Sequence, residues 1–188
     1  MRKFKLSRRK ISYIVGLVIL FIGLINQLIK SNQPAKKIVN IVPPSIITST
    51  SSADLVKVKK VIDGDTIELE NGQKVRYIGI DTPELHHPKK KLECYGKEAR
   101  DKNKELVEGK LIRLEKDVSE TDRYWRLLRY VFVPSIASLS GEFINEILVR
   151  EGYAYAATFP PDVTFSEYFI NLENLARENK RGLWNKCQ

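Results

Sequence analysis

Residues 11–29 form an apolar run of 19 residues in which only Ser12, Asn26 and Gln27 are polar. As a helix rising about 1.5 Å per residue it would extend roughly 28 Å, close to the hydrocarbon thickness of a bilayer. Six basic residues precede it (Arg2, Lys3, Lys5, Arg8, Arg9, Lys10), and its apolar character runs round the whole circumference, which suits a membrane better than a buried core. The run closes in Leu28-Ile29-Lys30-Ser31-Asn32, with no small-x-small cleavage site and no lipobox cysteine. These flanks favour an uncleaved transmembrane signal anchor over a cleaved secretory peptide. The positive-inside rule then keeps 1–10 as a basic cytoplasmic segment and places everything after Lys30 outside.

That placement changes the meaning of the charge. A formal net charge of +9 first suggests a protein built for nucleic acid or an anionic surface. Nine of the 32 Lys and Arg residues, and no acid, fall in 1–53, while the other 23 match all 23 acids in 54–188. The excess belongs to the membrane end, and the rest of the chain is neutral. Compositions of 43% hydrophobic and 29% charged residues exclude a disordered, collagen-like or polytopic membrane chain. Residues 30–53 include Pro43-Pro44 and a polar run at 48–52, show neither a 3.6 nor a 2 period, and read as a flexible tether. One globular domain, 54–188, remains.

Cys94 and Cys187 suit an oxidising exterior, where a bridge would pin the C-terminal tail; two unpaired thiols are the alternative. Two cysteines and the adjacent His86 and His87 do not make a zinc signature.

Within the domain, 55–62 is β-branched with imperfect alternation, Asp63-Gly64-Asp65 turns the chain, and 66–70 reads as a second strand. Asn71-Gly72 is a hairpin signal before a third strand at 73–80; 111–115 and 127–133 are further strands. Residues 97–108 form a helical stretch closed by Gly109. Phe143, Ile144, Ile147 and Leu148 make a second helical face, and Tyr168, Phe169, Leu172, Leu175 and Ala176 a third. Five short strands with a helix after the third predict an α+β domain, a small closed β barrel of OB type carrying helices.

Three polar clusters interrupt this pattern. Asp63-Gly64-Asp65-Thr66 sits at a strand-to-strand turn, where an ordinary turn is the plainer reading. Arg76 to Glu84 ends a strand in Asp81-Thr82-Pro83-Glu84, which is also plausible as a local cap. Asp122-Arg123-Tyr124-Trp125-Arg126 precedes an apolar strand, where basic residues commonly stay solvated. Taken together they supply what phosphodiester hydrolysis needs. A hard cation takes oxygen ligands, which Asp65, Asp81 and the Thr82 carbonyl offer. Glu84 is placed to orient or deprotonate a water, and Arg76 and Arg126 to clamp a phosphate with two donors each.

In this order the clusters resemble the three signatures of the staphylococcal nuclease (thermonuclease) family, over a match from about Val56 to Trp184. His87-Pro88-Lys89-Lys90, Tyr95-Gly96-Lys97-Glu98-Ala99 and Ile144-Asn145-Glu146 support it. The resemblance implies a five-stranded OB-fold barrel with three helices, here preceded by one transmembrane helix. It implies calcium-dependent hydrolysis of DNA and RNA that leaves 3′-phosphate ends. Its metal ligands fall on Asp65, Asp81 and the Thr82 carbonyl, and its catalytic trio on Arg76, Glu84 and Arg126. Lys89, Lys90, Arg123, Tyr124 and Trp125 are the candidate substrate-binding residues.

Two departures stand out. Trp125 occupies a position that is commonly Gly, either as a stacking surface or buried against the barrel. Thr158-Phe159-Pro160-Pro161 replaces a tyrosine pair that lines the base pocket. The resulting expectation is a monomeric, membrane-tethered nuclease with its catalytic domain outside the cell, or secreted after processing. The competing readings are a non-catalytic OB-type module that binds nucleic acid or protein, and, more weakly, a calcium-binding adhesion domain. Retention of all the site residues favours the enzyme.

Overall fold

The computed structural model describes Phe21 and residues 55–85, 93–135 and 138–187. The expected cytoplasmic segment, the expected tether and, Phe21 apart, the expected membrane span lie outside the described residues. Among those described, no helix is long and apolar enough to cross a membrane.

Strands β1 (Leu55–Asp63), β2 (Thr66–Leu69) and β3 (Lys74–Tyr77) form an antiparallel meander. The imperfect alternation of β1 has a structural cause: its register with β2 shifts between Val58 and Lys60 and again between Val61 and Asp63. After β4 (Ile80–Asp81) and helix α1 (Gly96–Val107), β5 (Leu111–Glu115) pairs with β1, and β6 (Leu127–Ser135) pairs with β5. A parallel pairing of β3 with β6, from Val75↔Leu127 to Tyr77↔Arg129, closes these five strands into a barrel. The chain continues through β7 (Ser138–Phe143), α2 (Ile144–Arg150), β8 (Tyr155–Ala156), α3 (Ser166–Glu178) and a single-turn α4 (Leu183–Lys186). The five-stranded OB-type barrel with three main helices matches the expectation.

Val58, Ile67, Val75, Ile112 and Val131 are fully buried and belong to one core. An aromatic group links the barrel to α3: Tyr130 meets Phe165 edge-on at 4.7 Å, and Phe132 stacks on Phe143 at 4.5 Å. Each such pair adds roughly 0.5–1.5 kcal/mol beyond simple burial.

Three element boundaries differ from the sequence reading. The strand expected over 73–80 breaks after Tyr77, and β4 pairs instead with β8, Asp81 opposite Tyr155. Gly79 makes the corner: its φ is +77°, and a Cβ there would lie 2.6 Å from a ring carbon of Phe169. The strand read over 127–133 runs on to Ser135 in β6, and β7 starts at Ser138. Phe143, read as part of a helical face, ends β7 opposite Phe132.

Candidate active site

The β1–β2 turn and the β3–β4 corner meet because small residues let them. A Cβ on Gly64 would lie 2.6 Å from Thr82 Oγ1, so only glycine admits this approach. Asp65 is buried at the junction. Its Oδ2 accepts from the Thr82 amide at 2.9 Å and the Thr82 hydroxyl at 3.0 Å, and its Oδ1 from the Thr66 hydroxyl at 3.1 Å. Arg76 Nη1 pairs with Asp65 Oδ2 at 2.7 Å, and Arg76 Nη2 with Asp81 Oδ1 at 2.7 Å. One guanidinium therefore bridges both candidate metal carboxylates, and its Nη1 also donates to the Ile80 carbonyl at 3.1 Å. That two-pronged hold needs the planar fork of arginine.

Arg126 arrives from the turn before β6, and Asp122 sets its direction. Asp122 Oδ1 accepts from the amides of Tyr124 at 2.8 Å and Arg126 at 3.0 Å, while Oδ2 accepts from Arg126 Nε at 2.6 Å. Burial raises the Asp122 carboxyl, but these donors outweigh it and hold the pKa below its ordinary 3.8. Arg126 Nη1 also lies 3.5 Å from Thr66 Oγ1, whose hydroxyl donates to Asp65, so the two arginines sit on one polar chain.

Both arginines line a cleft of about 410 Å³ together with Ile78, Arg123, Tyr124 and Phe159. The arrangement offers two cationic forks at a mostly apolar pocket, a shape suited to a phosphate joined to a flat ring.

Glu84 lies just past β4 with its side chain exposed. It is outside the cleft lining, but its charge is felt at Asp81, which also senses Asp65. Burial, and then the neighbouring Asp65 charge, pushes the Asp63 carboxyl up to about 7. This corner is crowded with negative charge and has Arg76 as its inner counter-charge.

A sequence profile of the staphylococcal nuclease homologues matches residues 74–186. The chain belongs to the staphylococcal nuclease family. Over 140 residues it is 37% identical to a protein named thermonuclease from Staphylococcus hyicus, covering 73% of this chain and 79% of the relative. A thermonuclease from Staphylococcus intermedius is 33% identical over 177 residues, 90% of this chain and 94% of its own. Endonuclease YncB of Bacillus subtilis is 38% identical over 136 residues, 70% of this chain, although the match spans only 62% of YncB.

Within that family pattern the structure brings Asp65, Arg76, Asp81 and Thr82 into direct contact, joins Arg126 through Thr66, and leaves Glu84 alongside. Lys89 and Lys90 lie outside the described residues. Arg123 and Tyr124 line the cleft. Trp125 does not: it is 85% exposed beside the cleft, with φ +63°, so it is a free indole face and not a barrel contact. That left-handed backbone is one that glycine adopts without strain.

Two functional residues escaped the sequence reading. Asp122 was visible in its motif, but nothing local showed that its carboxylate aims Arg126. Phe159 was part of a stretch marked as replacing the tyrosine pair, yet only the fold carries it to the cleft, 63% exposed opposite the Arg123–Arg126 turn.

The family's cation suits the donor set. Asp65 and Asp81 are hard oxygen donors held by one guanidinium, amid more carboxylate charge than Arg76 alone offsets. Among the described residues no three acidic, histidine or cysteine side chains form a cage. Water and substrate phosphate would complete such a shell, as is usual for an ion that works on phosphates.

Proposed function

We propose that this chain is a nuclease that hydrolyses the phosphodiester backbone of DNA and RNA in a calcium-dependent reaction and leaves 3′-phosphate ends. The observation that carries this reading is that Arg76 and Arg126 share one cleft while Arg76 also bridges Asp65 and Asp81. The names thermonuclease and endonuclease among the relatives support nuclease function.

Asp65, Asp81 and the Thr82 carbonyl would hold the cation, which supplies Lewis-acid polarisation of a phosphoryl oxygen. Arg76 and Arg126 bind the scissile phosphate through paired N–H donors and stabilise the charge that grows on it. Glu84 orients a water toward the phosphorus and accepts its proton. Tyr124 and Phe159 face the base, and Lys89, Lys90 and Arg123 add cationic contacts to the strand. Residues 11–29 anchor the chain in the cell membrane with a monomeric catalytic domain outside, or released by processing; the neutral domain behind a cationic N-terminus supports this arrangement.

Digestion of single- and double-stranded DNA and RNA, with end analysis, tests the reading. Cleavage should stop on calcium chelation and fall sharply in Glu84→Gln. Full activity in excess chelator would remove the metal assignment. Tight nucleic-acid binding without fragments would favour the non-catalytic binding module.

A further inference from the structure

Residues 93–96 pack against the backbone of Pro83 and Glu84. The Glu93 amide donates to the Glu84 carbonyl at 3.1 Å, and the Glu84 amide donates to Glu93 Oε2 at 3.1 Å. Gly96 begins α1 against the same backbone: a Cβ there would lie 2.8 Å from the Pro83 carbonyl oxygen and 3.2 Å from that of Glu84. The backbone that carries Glu84 is thus held by residues 93–96. Up to Thr82 the segment is tied to Asp65 and Arg76, but β4 itself is two residues long and pairs with a two-residue strand, and beyond Thr82 the backbone hydrogen bonds of Glu84 run to Glu93.

Cys94 sits in the middle of that support and is bonded to Cys187, 93 residues away and directly after α4. Helix α4 is itself fixed. Leu183 is buried and its amide donates to the Gly152 carbonyl at 2.9 Å. Trp184 meets Tyr155 edge-on at 5.3 Å beneath the Arg177 guanidinium at 4.3 Å. Tyr155 is the strand partner of Asp81. One C-terminal turn therefore reaches the 80–84 segment twice, through Trp184 and Tyr155 to Asp81, and through the disulfide and Glu93 to Glu84.

We propose that the Cys94–Cys187 bridge is a positioning element for Glu84, so that full phosphodiester cleavage depends on the bridge being oxidised; this rests on the nuclease reading above. The bridge touches no substrate. It transmits the rigidity of α4 to a short exposed segment that must hold a carboxylate to within a fraction of an ångström. Cys94 is exposed, so a reductant reaches it. An extracytoplasmic enzyme would then be active where disulfides persist and weak wherever they are reduced.

The test uses the full chain, oxidised and thiol-reduced, and the Cys94→Ser/Cys187→Ser double variant, each with and without Glu84→Gln. Amide hydrogen exchange is read at Glu84 and Glu93, alongside kcat and KM for single-stranded DNA with calcium and circular dichroism of the fold. Opening the bridge is expected to remove protection at both amides and lower kcat on the order of 10- to 100-fold, the scale of a small misplacement of a reacting group. KM and the dichroism should stay near wild type, and Glu84→Gln should absorb the loss, since two changes acting through one group do not add. Unchanged protection, unchanged kcat, or a loss that multiplies with Glu84→Gln overturns the proposal. If the serine variant does not fold, Gly96→Ala keeps the bridge and presses on the Pro83 and Glu84 carbonyls. It should show the same Glu84-dependent fall in kcat, and wild-type kcat there would also overturn the proposal. An oxidised wild type that cuts nothing would sink the nuclease reading instead, and the exchange measurement would still decide whether the bridge restrains Glu84.

Discussion

Asp122 shows how much of the geometry of Arg126, the arginine proposed to be catalytic, belongs to its neighbour. Its two oxygens take donors from Tyr124 and from both backbone and side chain of Arg126, which fixes the fork before substrate arrives. Asp122→Asn keeps the shape but loses the charge, and kcat is expected to fall by roughly tenfold, less than removal of a transition-state donor itself, at about 10²–10³. A pH signature accompanies this. The folded pKa lies below the ordinary 3.8, so between the two values the unfolded chain binds more protons than the folded one. The stability supplied by Asp122 is complete above 3.8 and is lost as pH falls through the folded value. Urea unfolding of wild type and Asp122→Asn from pH 6 downward (about pH 2 at the end) should show a gap that closes only at the acid end. Trp125 is the opposite case, a residue whose side chain is 85% exposed. Strain at its positive φ costs about 1 kcal/mol, and replacing it with glycine returns roughly that while adding unfolded-state entropy of similar size. Trp125→Gly should therefore leave the urea midpoint nearly unmoved. Loss of a stacked base worth about 1–3 kcal/mol should weaken single-stranded oligonucleotide binding about 5- to 100-fold in a fluorescence titration. The identity of these residues was readable from their motifs. The roles of Asp122 and Phe159 were not, because hydrogen-bond partners and cleft walls are set by chain segments far apart in sequence.

At the level of elements, the period-2 runs and turn glycines placed all five barrel strands, and the helical faces placed α1, α2 and α3. The parallel β3–β6 pairing that closes the barrel, and the β4–β8 pairing that supports Asp81, left no trace in local periodicity because their partners are some 50 to 75 residues apart. Asn145 shows how such distant elements are joined. Fully buried in α2, it accepts from the Val131 amide at 3.0 Å and donates to the Ile78 carbonyl at 2.8 Å, tying the helix to β6 and to the corner that leads into β4. Asn145→Ala would leave both backbone groups buried without partners, at about 1–3 kcal/mol each. The expected destabilisation is about 2–5 kcal/mol, seen as a lower urea midpoint with an unchanged slope. A loss well under 1 kcal/mol (roughly the worth of one exposed hydrogen bond) would mean that water takes over both groups.

Over the whole molecule, the charge partition makes the sharpest statement. Residues 54–188 carry no net charge, so capture of a polyanion has to rest on local groups, and the arginines at the cleft are Arg76, Arg123 and Arg126. Each phosphate neutralised on a single strand releases counterions and adds about −0.7 to the slope of log affinity against log salt. Three arginines give a slope of about −2. Engagement of the nine positive charges of residues 1–53 as well would bring it to about −8, and the proposed membrane topology argues against it because that topology would put the most basic stretch, 1–10, on the other side of the bilayer. Fluorescence anisotropy of a single-stranded oligonucleotide with the full chain in vesicles, titrated across potassium chloride, separates these two slopes. Arg123→Ala should flatten the slope by about 0.7 while leaving kcat near wild type, because it removes a strand contact and no donor to the scissile phosphate. A slope near −8 (about −0.7 per charge) would show instead that the cationic N-terminus shares the compartment of the substrate, which would reverse the topology inferred from the sequence.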